Sequence, residues 1–199
     1  MPDRTTPGEE TLPPGGGRTL RGKWRWILLA AVITAVDLWT KESLFTPLQE
    51  HRIDWVAGDW FGLTKVWNRG MMWGALQDHG DLVLLGLRAM RLVAAGVVLL
   101  MILSTPATSR LLLMALGLVL GGAVGNIYDG FVFEAVRDFL LFDFDFTPFD
   151  PFPVFNIADS AIVVGVIAFL FQQLFFVDRG STEADLDDDE LPDLEGALE

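Results

Sequence analysis

Four long apolar runs constrain the fold of this chain more than any other feature of its sequence. They cover roughly residues 26–45, 82–103, 110–128 and 156–177. Each is close to the about 20 residues that an α-helix needs to cross a bilayer. In lipid, a lone segment satisfies its backbone polar groups only as a helix. The sequence therefore predicts an all-α membrane protein with four transmembrane helices, in a membrane domain at residues 26–177.

The two ends of the chain predict its orientation. Residues 1–25 are rich in Pro and Gly and contain five basic residues, and residues 178–199 contain ten acids against one Arg. Both compositions are typical of disordered tails. Basic residues before the first span favour a cytoplasmic N-terminus. Four spans then return the acidic tail to the cytoplasm as well.

Two longer connections are then expected on the extracytoplasmic side. The first, residues 46–81, contains the β-like runs IDWVAG and FGLTKVWN, which predict a small β-rich subdomain. The second, residues 129–155, contains FLLFDFDFTPFDPFPVF, which we interpret as an extended loop at the membrane interface.

The composition excludes several classes of function. The chain has no Cys and only two His, which excludes disulfides, thiolate nucleophiles and Cys-ligated metals and argues against a His-rich metal site. A net charge of −13 without a basic stripe argues against nucleic-acid binding. We expect neither a metal nor a cofactor.

The third apolar run contains a stripe of small residues that ends in an acid. Gly117, Gly121, Gly125 and Asp129 are spaced by four, so they share one slowly drifting helix face. Small residues at this spacing mark a face on which another helix packs closely. Asp129 would then point into the bundle with Asn126 one turn earlier, unless the helix has simply reached water at that point.

The fourth run begins with the same Asn-x-x-Asp spacing, at Asn156 and Asp159. A structural interpretation is available, in which Asn156 caps the helix and Asp159 lies beside the positive end of its dipole. Because runs three and four are joined on the outer side, however, Asp129 and Asp159 should lie at the same depth. Two adjacent carboxylates in a low-dielectric site share a proton, which is the chemistry of an acid protease.

Asp37 and Lys41 place two further charges in the first run. At a spacing of i, i+4 they pair on one helix face. The sequence leaves two interpretations open, an ion pair that fixes the helix and a direct role toward substrate.

These residues stand in five ordered motifs. D-L-W-T-K lies at 37–41, N-R-G-M-M-W-G at 68–74, G-G-A-V-G-N-I-Y-D at 121–129, V-R-D-F at 136–139 and F-N-I-A-D-S at 155–160. In this order and on four spans, the chain resembles lipoprotein signal peptidase, the bacterial signal peptidase II family of membrane aspartyl proteases. The resemblance covers roughly residues 26–177.

The resemblance implies an activity and roles for particular residues. The enzyme would remove signal peptides from diacylglyceryl-modified prolipoproteins, cutting just before the lipidated cysteine, and its partners would be these precursors and membrane lipids. It would act as a monomer in the bacterial inner membrane, with its site near the outer leaflet and a β-cradle from the first outer connection. The resemblance implies that Asp129 and Asp159 are catalytic, and that the supporting residues are Asp37, Lys41, Asn68, Asn126, Asp138 and Asn156.

The sequence also departs from the family's pattern. Gly130 stands where the pattern has an Arg after the first catalytic Asp, and Met71, Met72 and Trp73 replace smaller or different residues. The loss of the Arg removes a cation beside the acids, for which Arg137 is a candidate replacement. Two alternatives therefore stay open, a catalytically impaired member that binds precursors and a membrane protein that conducts protons or cations through the same acids.

Overall fold

The computed structural model describes residues 22–69, 80–144 and 152–176. Within these ranges the chain forms four α-helices, three strands and one π-helical segment. The elements are α1 (Trp24–Thr40), the π segment (Lys41–Phe45), β1 (Ile53–Ala57), β2 (Phe61–Asn68), α2 (Gly80–Ser104), α3 (Arg110–Val132), β3 (Val136–Phe142) and α4 (Ile157–Phe176). Most of both predicted tails and the Met71–Trp73 departures lie outside the described residues.

The four helices coincide with the four predicted apolar runs. Three of them are long and apolar enough to cross a membrane, over Leu85–Ser104, Arg110–Val132 and Ile157–Phe175. The fourth span is not confirmed by this measure, because α1 has only 17 residues. It continues directly into the π segment of five residues. The structure is thus a mostly helical membrane-protein fold with a small sheet, and the expected count of four spans remains a prediction.

Helix α3 lies at the centre of the bundle and contacts the other three helices. Its buried residues Leu113, Leu116 and Leu120 form the apolar core with Ile102 of α2 and Ala30 of α1. The outer faces of α2 and α4 instead leave large apolar side chains exposed, as at Val93 and Leu174. Exposed apolar faces of this kind suit contact with lipid.

The glycine stripe of α3 packs against α1, as the sequence predicted. A Cβ placed on Gly117 would lie 3.0 Å from the backbone oxygen of Trp26, and one on Gly121 would lie 2.7 Å from that of Ala30. At Gly125 the added atom would meet the carboxylate of Asp37. The missing side chains therefore allow α1 to approach α3 closely and bring an ionisable residue of α1 against it.

The three strands form one antiparallel sheet in the order β1-β2-β3. The hairpin of β1 and β2 comes from the first connection, as expected. The third strand comes from the second connection, which the sequence analysis interpreted as a loop. Strand β3 pairs with β2 in the register Val66↔Asp138 and Asn68↔Val136. The sequence does not predict this strand, because VRDFLLF is mostly buried and lacks the alternation of polar and apolar residues that is typical of a half-exposed strand.

Candidate active site

The predicted site residues meet at one end of the bundle, where the end of α1 and the π segment, the end of α3, strands β2 and β3 and the first turn of α4 converge. Hydrogen bonds and ion pairs join all of them into one cluster, which we call the polar network. Its members are Asp37, Lys41, Asn68, Asn126, Asp129, Asp138, Asn156 and Asp159, together with Arg137.

Asn156 and Asp159 cap the beginning of α4 reciprocally. The backbone N–H of Asp159 donates to Oδ1 of Asn156 at 3.0 Å, and the backbone N–H of Asn156 donates to Oδ2 of Asp159 at 3.2 Å. This is the capping-box arrangement, with an acid at the third helical position. The structural interpretation of the motif is therefore confirmed. The cap leaves the Asp159 side chain only half-buried, in contrast to the fully buried Asn156.

Asn126 links the two Asn-x-x-Asp motifs. Its Nδ2 donates to Oδ1 of Asp159 at 2.8 Å. Its Oδ1 accepts from Nζ of Lys41 at 3.0 Å and from Nδ2 of Asn156 at 3.2 Å. Since these contacts require one orientation of the amide, Asn126 fixes Asp159 relative to α1 and α3.

Asp138 lies buried between two asparagine amides. Nδ2 of Asn156 donates to its Oδ1 at 2.7 Å, and Nδ2 of Asn68 donates to its Oδ2 at 2.9 Å. Asn68 reaches it diagonally across the β2–β3 ladder. Burial and, next, the negative charge of Asp159 raise the pKa of Asp138 from 3.8 to about 7. Asp138 and Asp159 are thus neighbouring, electrostatically coupled carboxyl groups, and both accept hydrogen bonds from Asn156.

Asp129 has neighbours of a different kind, because two cations surround its buried carboxylate. Its Oδ1 accepts from Nη2 and Nε of Arg137 at 2.8 and 3.2 Å, and its Oδ2 lies 3.2 Å from Nζ of Lys41. The backbone N–H of Arg137 also donates to Oδ2, at 3.0 Å. Within the described chain, no hydrogen bond joins Asp129 directly to Asp159. Asp129 thus forms ion pairs with Lys41 and Arg137, and its pairing with Asp159 stays a prediction.

Asp37 of α1 and Lys41 of the π segment form the expected ion pair. Nζ of Lys41 lies 2.7 Å from Oδ2 of Asp37, with both side chains fully buried. The other oxygen of Asp37 accepts from the backbone N–H of Ala158 at 2.9 Å. The pair therefore connects α1 with the N-terminal turn of α4. This supports the first of the two interpretations that the sequence left open.

Arg137 is the site residue that the sequence analysis did not place in the network. It was considered only as a replacement for the Arg missing at Gly130, and the structure shows that its guanidinium does contact Asp129. The available signal was a basic residue beside an acid in an otherwise apolar strand, V-R-D-F. Sequence alone did not reveal its partner, because the α3–β3 turn determines which side chain it meets.

The arrangement contains the groups needed for acid–base catalysis. One carboxyl group, Asp138, holds its proton to near-neutral pH, and the adjacent Asp159 is partly accessible. A protonated and an ionised carboxyl group side by side supply a general acid and a general base.

Comparison with known proteins gives the family of this chain. A family model described as "Signal peptidase (SPase) II" matches residues 29–175. The chain belongs to the signal peptidase II family. The match includes every residue of the polar network, so the motifs and the family assignment agree. As a member of this peptidase family, the chain is a bacterial membrane protease.

Individual signal peptidase II relatives support the assignment over nearly their full length. A lipoprotein signal peptidase of Francisella tularensis subsp. novicida is 36% identical over 157 residues, 78% of this chain and 95% of that protein. The one from Geobacillus thermodenitrificans is 37% identical over 151 residues, covering 76% and 90%. A solved structure described as a bacterial membrane enzyme matches with a TM-score of 0.67 and 25% identity, covering 77% of this chain and 94% of that one.

Proposed function

We propose that this protein is an aspartyl endopeptidase that removes signal peptides from diacylglyceryl-modified prolipoproteins, cutting just before the lipidated cysteine. The substrate class follows from the family and from the relatives that are named lipoprotein signal peptidases. The aspartyl mechanism follows from the acids of the polar network. The observation that carries it is that Asn156 donates hydrogen bonds to both the buried Asp138 and the half-buried Asp159 and so holds the two acids near each other.

In this mechanism Asp138 and Asp159 form the catalytic pair. Ionised Asp159 accepts a proton from the attacking water, while protonated Asp138 donates its proton to the oxygen of the scissile carbonyl. The water oxygen bonds to the carbonyl carbon, giving a tetrahedral intermediate. Return of a proton to the leaving nitrogen breaks the peptide bond.

Asp129 supports this pair instead of forming part of it. The family resemblance implies a catalytic role for Asp129, but its carboxyl group is already engaged by Lys41 and Arg137, and we propose that it supports the site from there. Its place between Lys41 and Arg137 makes it the link between α3, α1 and β3. The geometry therefore favours Asp138 as the partner of Asp159.

The site lies at the end of the bundle that carries the sheet, and we propose that this end faces the extracytoplasmic side. Helix α1 and the π segment together extend from Trp24 to Phe45, which is enough to act as a fourth span. Both termini would then be cytoplasmic. The lipid-modified cysteine of a precursor would reach the site while its acyl chains remain in the outer leaflet, and a single chain contains all the groups used.

The proposal is tested by incubating purified protein in detergent micelles with a purified diacylglyceryl-modified precursor and following the release of the signal peptide on a gel. We expect the wild-type chain to cleave, and Asp138→Asn and Asp159→Asn each to lower the rate by at least about a thousandfold. The matched control is Asp54→Asn on β1, whose side chain is 43% exposed and paired with Arg52. It should cleave at the wild-type rate.

Three results would contradict the proposal. A wild-type chain that binds the precursor without releasing its signal peptide would be an impaired family member. Full cleavage by Asp138→Asn or Asp159→Asn would remove that residue from the mechanism. Ion flux into vesicles that is lost in these variants, without any cleavage, would instead favour the conduction alternative.

A further inference from the structure

We propose that Arg137 is a positioning residue for the cleavage reaction, and that its contacts with Asp129 determine where the next residue, Asp138, stands relative to Asp159. This inference rests on the proposed function, since it concerns the same pair of acids. In this arrangement Arg137 of β3 holds the general acid, Asp138, in place.

The first support is that every nitrogen of the Arg137 guanidinium donates a hydrogen bond. Nη2 and Nε both donate to Asp129, and Nη1 donates to Glu42 at 3.3 Å. The guanidinium carbon lies 4.4 Å from the centre of the Phe133 ring. The Arg137 side chain is only 5% exposed. A buried fork of this kind has one allowed orientation, which a flexible lysine would not reproduce.

The second support is that the backbone of Arg137 is fixed on both sides. Its N–H donates to Oδ2 of Asp129 on α3. Its carbonyl oxygen accepts from Nδ2 of Asn156 at 3.3 Å, at the beginning of α4. The peptide that leads into Asp138 is therefore held between the two helices. A shift of Arg137 would move Asp138 directly, and a displacement of about 1 Å is enough to cost about a hundredfold in rate.

The third support is the balance of buried charge. Asp129 lies among Asp37, Lys41 and Arg137, all of them buried. Lys41 is shared with Asp37 at 2.7 Å, so it does not neutralise Asp129 alone. The end of α3 offers no alternative cation on the next residue, which is Gly130. The guanidinium of Arg91 approaches that glycine, 3.3 Å from where its Cβ would be, but it forms no ion pair with Asp129. Arg137 is thus the second cation that Asp129 requires.

The test compares four variants of the full chain in detergent micelles, using the precursor-cleavage assay. They are Arg137→Gln, Arg137→Lys, Asp129→Asn and the double variant Asp129→Asn/Arg137→Gln. We expect Arg137→Gln to lower kcat by at least about tenfold while KM changes by less than about threefold, because substrate still binds but the acid is misplaced. Arg137→Lys should lose about threefold to tenfold in kcat.

The double variant separates positioning from a general loss of packing. If Arg137 acts through Asp129, its removal should cost little once that carboxylate is gone, so the double variant should keep at least about a third of the kcat of Asp129→Asn, whereas a general loss of packing would add to it. The matched control is Arg52→Gln on the exposed end of the sheet, whose side chain is 63% exposed. It should match the wild type in both kcat and KM.

The proposal is overturned if Arg137→Gln keeps the wild-type kcat, if only its KM changes, or if loss of Arg137 lowers kcat as much in the Asp129→Asn background as in the wild type. If Arg137→Gln does not fold, the test uses kcat of Arg137→Lys instead. A wild-type kcat for Arg137→Lys would then overturn the proposal. The failure of the proposed function is distinguishable, because it would show as full cleavage by Asp159→Asn in the same assay.

Discussion

At the scale of single residues, Asp129 and Asp138 differ in what surrounds them. Both are fully buried acids near the beginning of α4. Asp129 faces Lys41 and Arg137, whereas Asp138 faces two neutral amides and the charge of Asp159. Cations stabilise the ionised form of an acid, while burial and a neighbouring negative charge stabilise the protonated form. This difference in environment is the reason for proposing Asp138 as the catalytic acid and Asp129 as a supporting one.

The raised pKa of Asp138 predicts the pH dependence of cleavage. Asp138 acts as the acid, so kcat should fall as pH rises through about 7, where it loses its proton. The hydrogen bond from Asn68 lowers this pKa. Asn68→Ala should therefore move the alkaline limb of the kcat profile to higher pH. Lys65→Gln on the same strand is the control, and an unchanged or lower alkaline limb in Asn68→Ala would contradict this assignment.

At the scale of elements, the close packing of α1 on α3 positions the polar network. Gly121 lies against the backbone of Ala30, one turn before the level of Asn126. Thr34 on α1 adds a side-chain hydrogen bond to the carbonyl oxygen of Gly121 at 2.9 Å. Separation of the two helices would remove Asp37 and Lys41 from the ends of α3 and α4.

Gly121→Val is therefore expected to destabilise the bundle. The added Cβ would stand 2.7 Å from the Ala30 oxygen and 2.8 Å from Ile33, so α1 must move outward, at a cost of about 1–3 kcal/mol. We expect a lower thermal midpoint in micelles and a lower cleavage rate. Gly96→Val on α2 has open space around its Cβ and should leave both unchanged. Equal thermal unfolding midpoints for Gly121→Val and Gly96→Val would show that the close packing of α1 on α3 does not contribute to stability.

The elements also differ in how far the sequence predicted them. The helices and the glycine stripe follow from apolar length and from a spacing of four, which are local signals. Strand β3 and the contact of Arg137 with Asp129 depend on pairing between segments far apart in the chain, so the sequence did not reveal them. The motifs named Asp138 as a supporting residue, because its burial and its proximity to Asp159 exist only after folding.

At the scale of the whole molecule, the absence of cysteine offers a direct test of orientation. We predict that single cysteines introduced at exposed positions report opposite sides of the membrane. Asp59→Cys lies in the turn between β1 and β2, and Thr108→Cys lies between α2 and α3. In bacterial cells whose outer membrane is permeabilised and whose inner membrane is sealed, a membrane-impermeant maleimide should label Asp59→Cys and not Thr108→Cys. Labelling of Thr108→Cys and not of Asp59→Cys would place the sheet and the polar network on the cytoplasmic side.

The central claim is that Asp138, and not Asp129, works with Asp159. It is tested most directly by measuring kcat for Asp129→Asn and Asp138→Asn side by side on the same precursor, with folding checked by thermal unfolding. We expect residual cleavage by Asp129→Asn, at about a tenth to a hundredth of the wild-type kcat, and a rate at least about tenfold lower again for Asp138→Asn. An inactive but folded Asp129→Asn beside an active Asp138→Asn would contradict it.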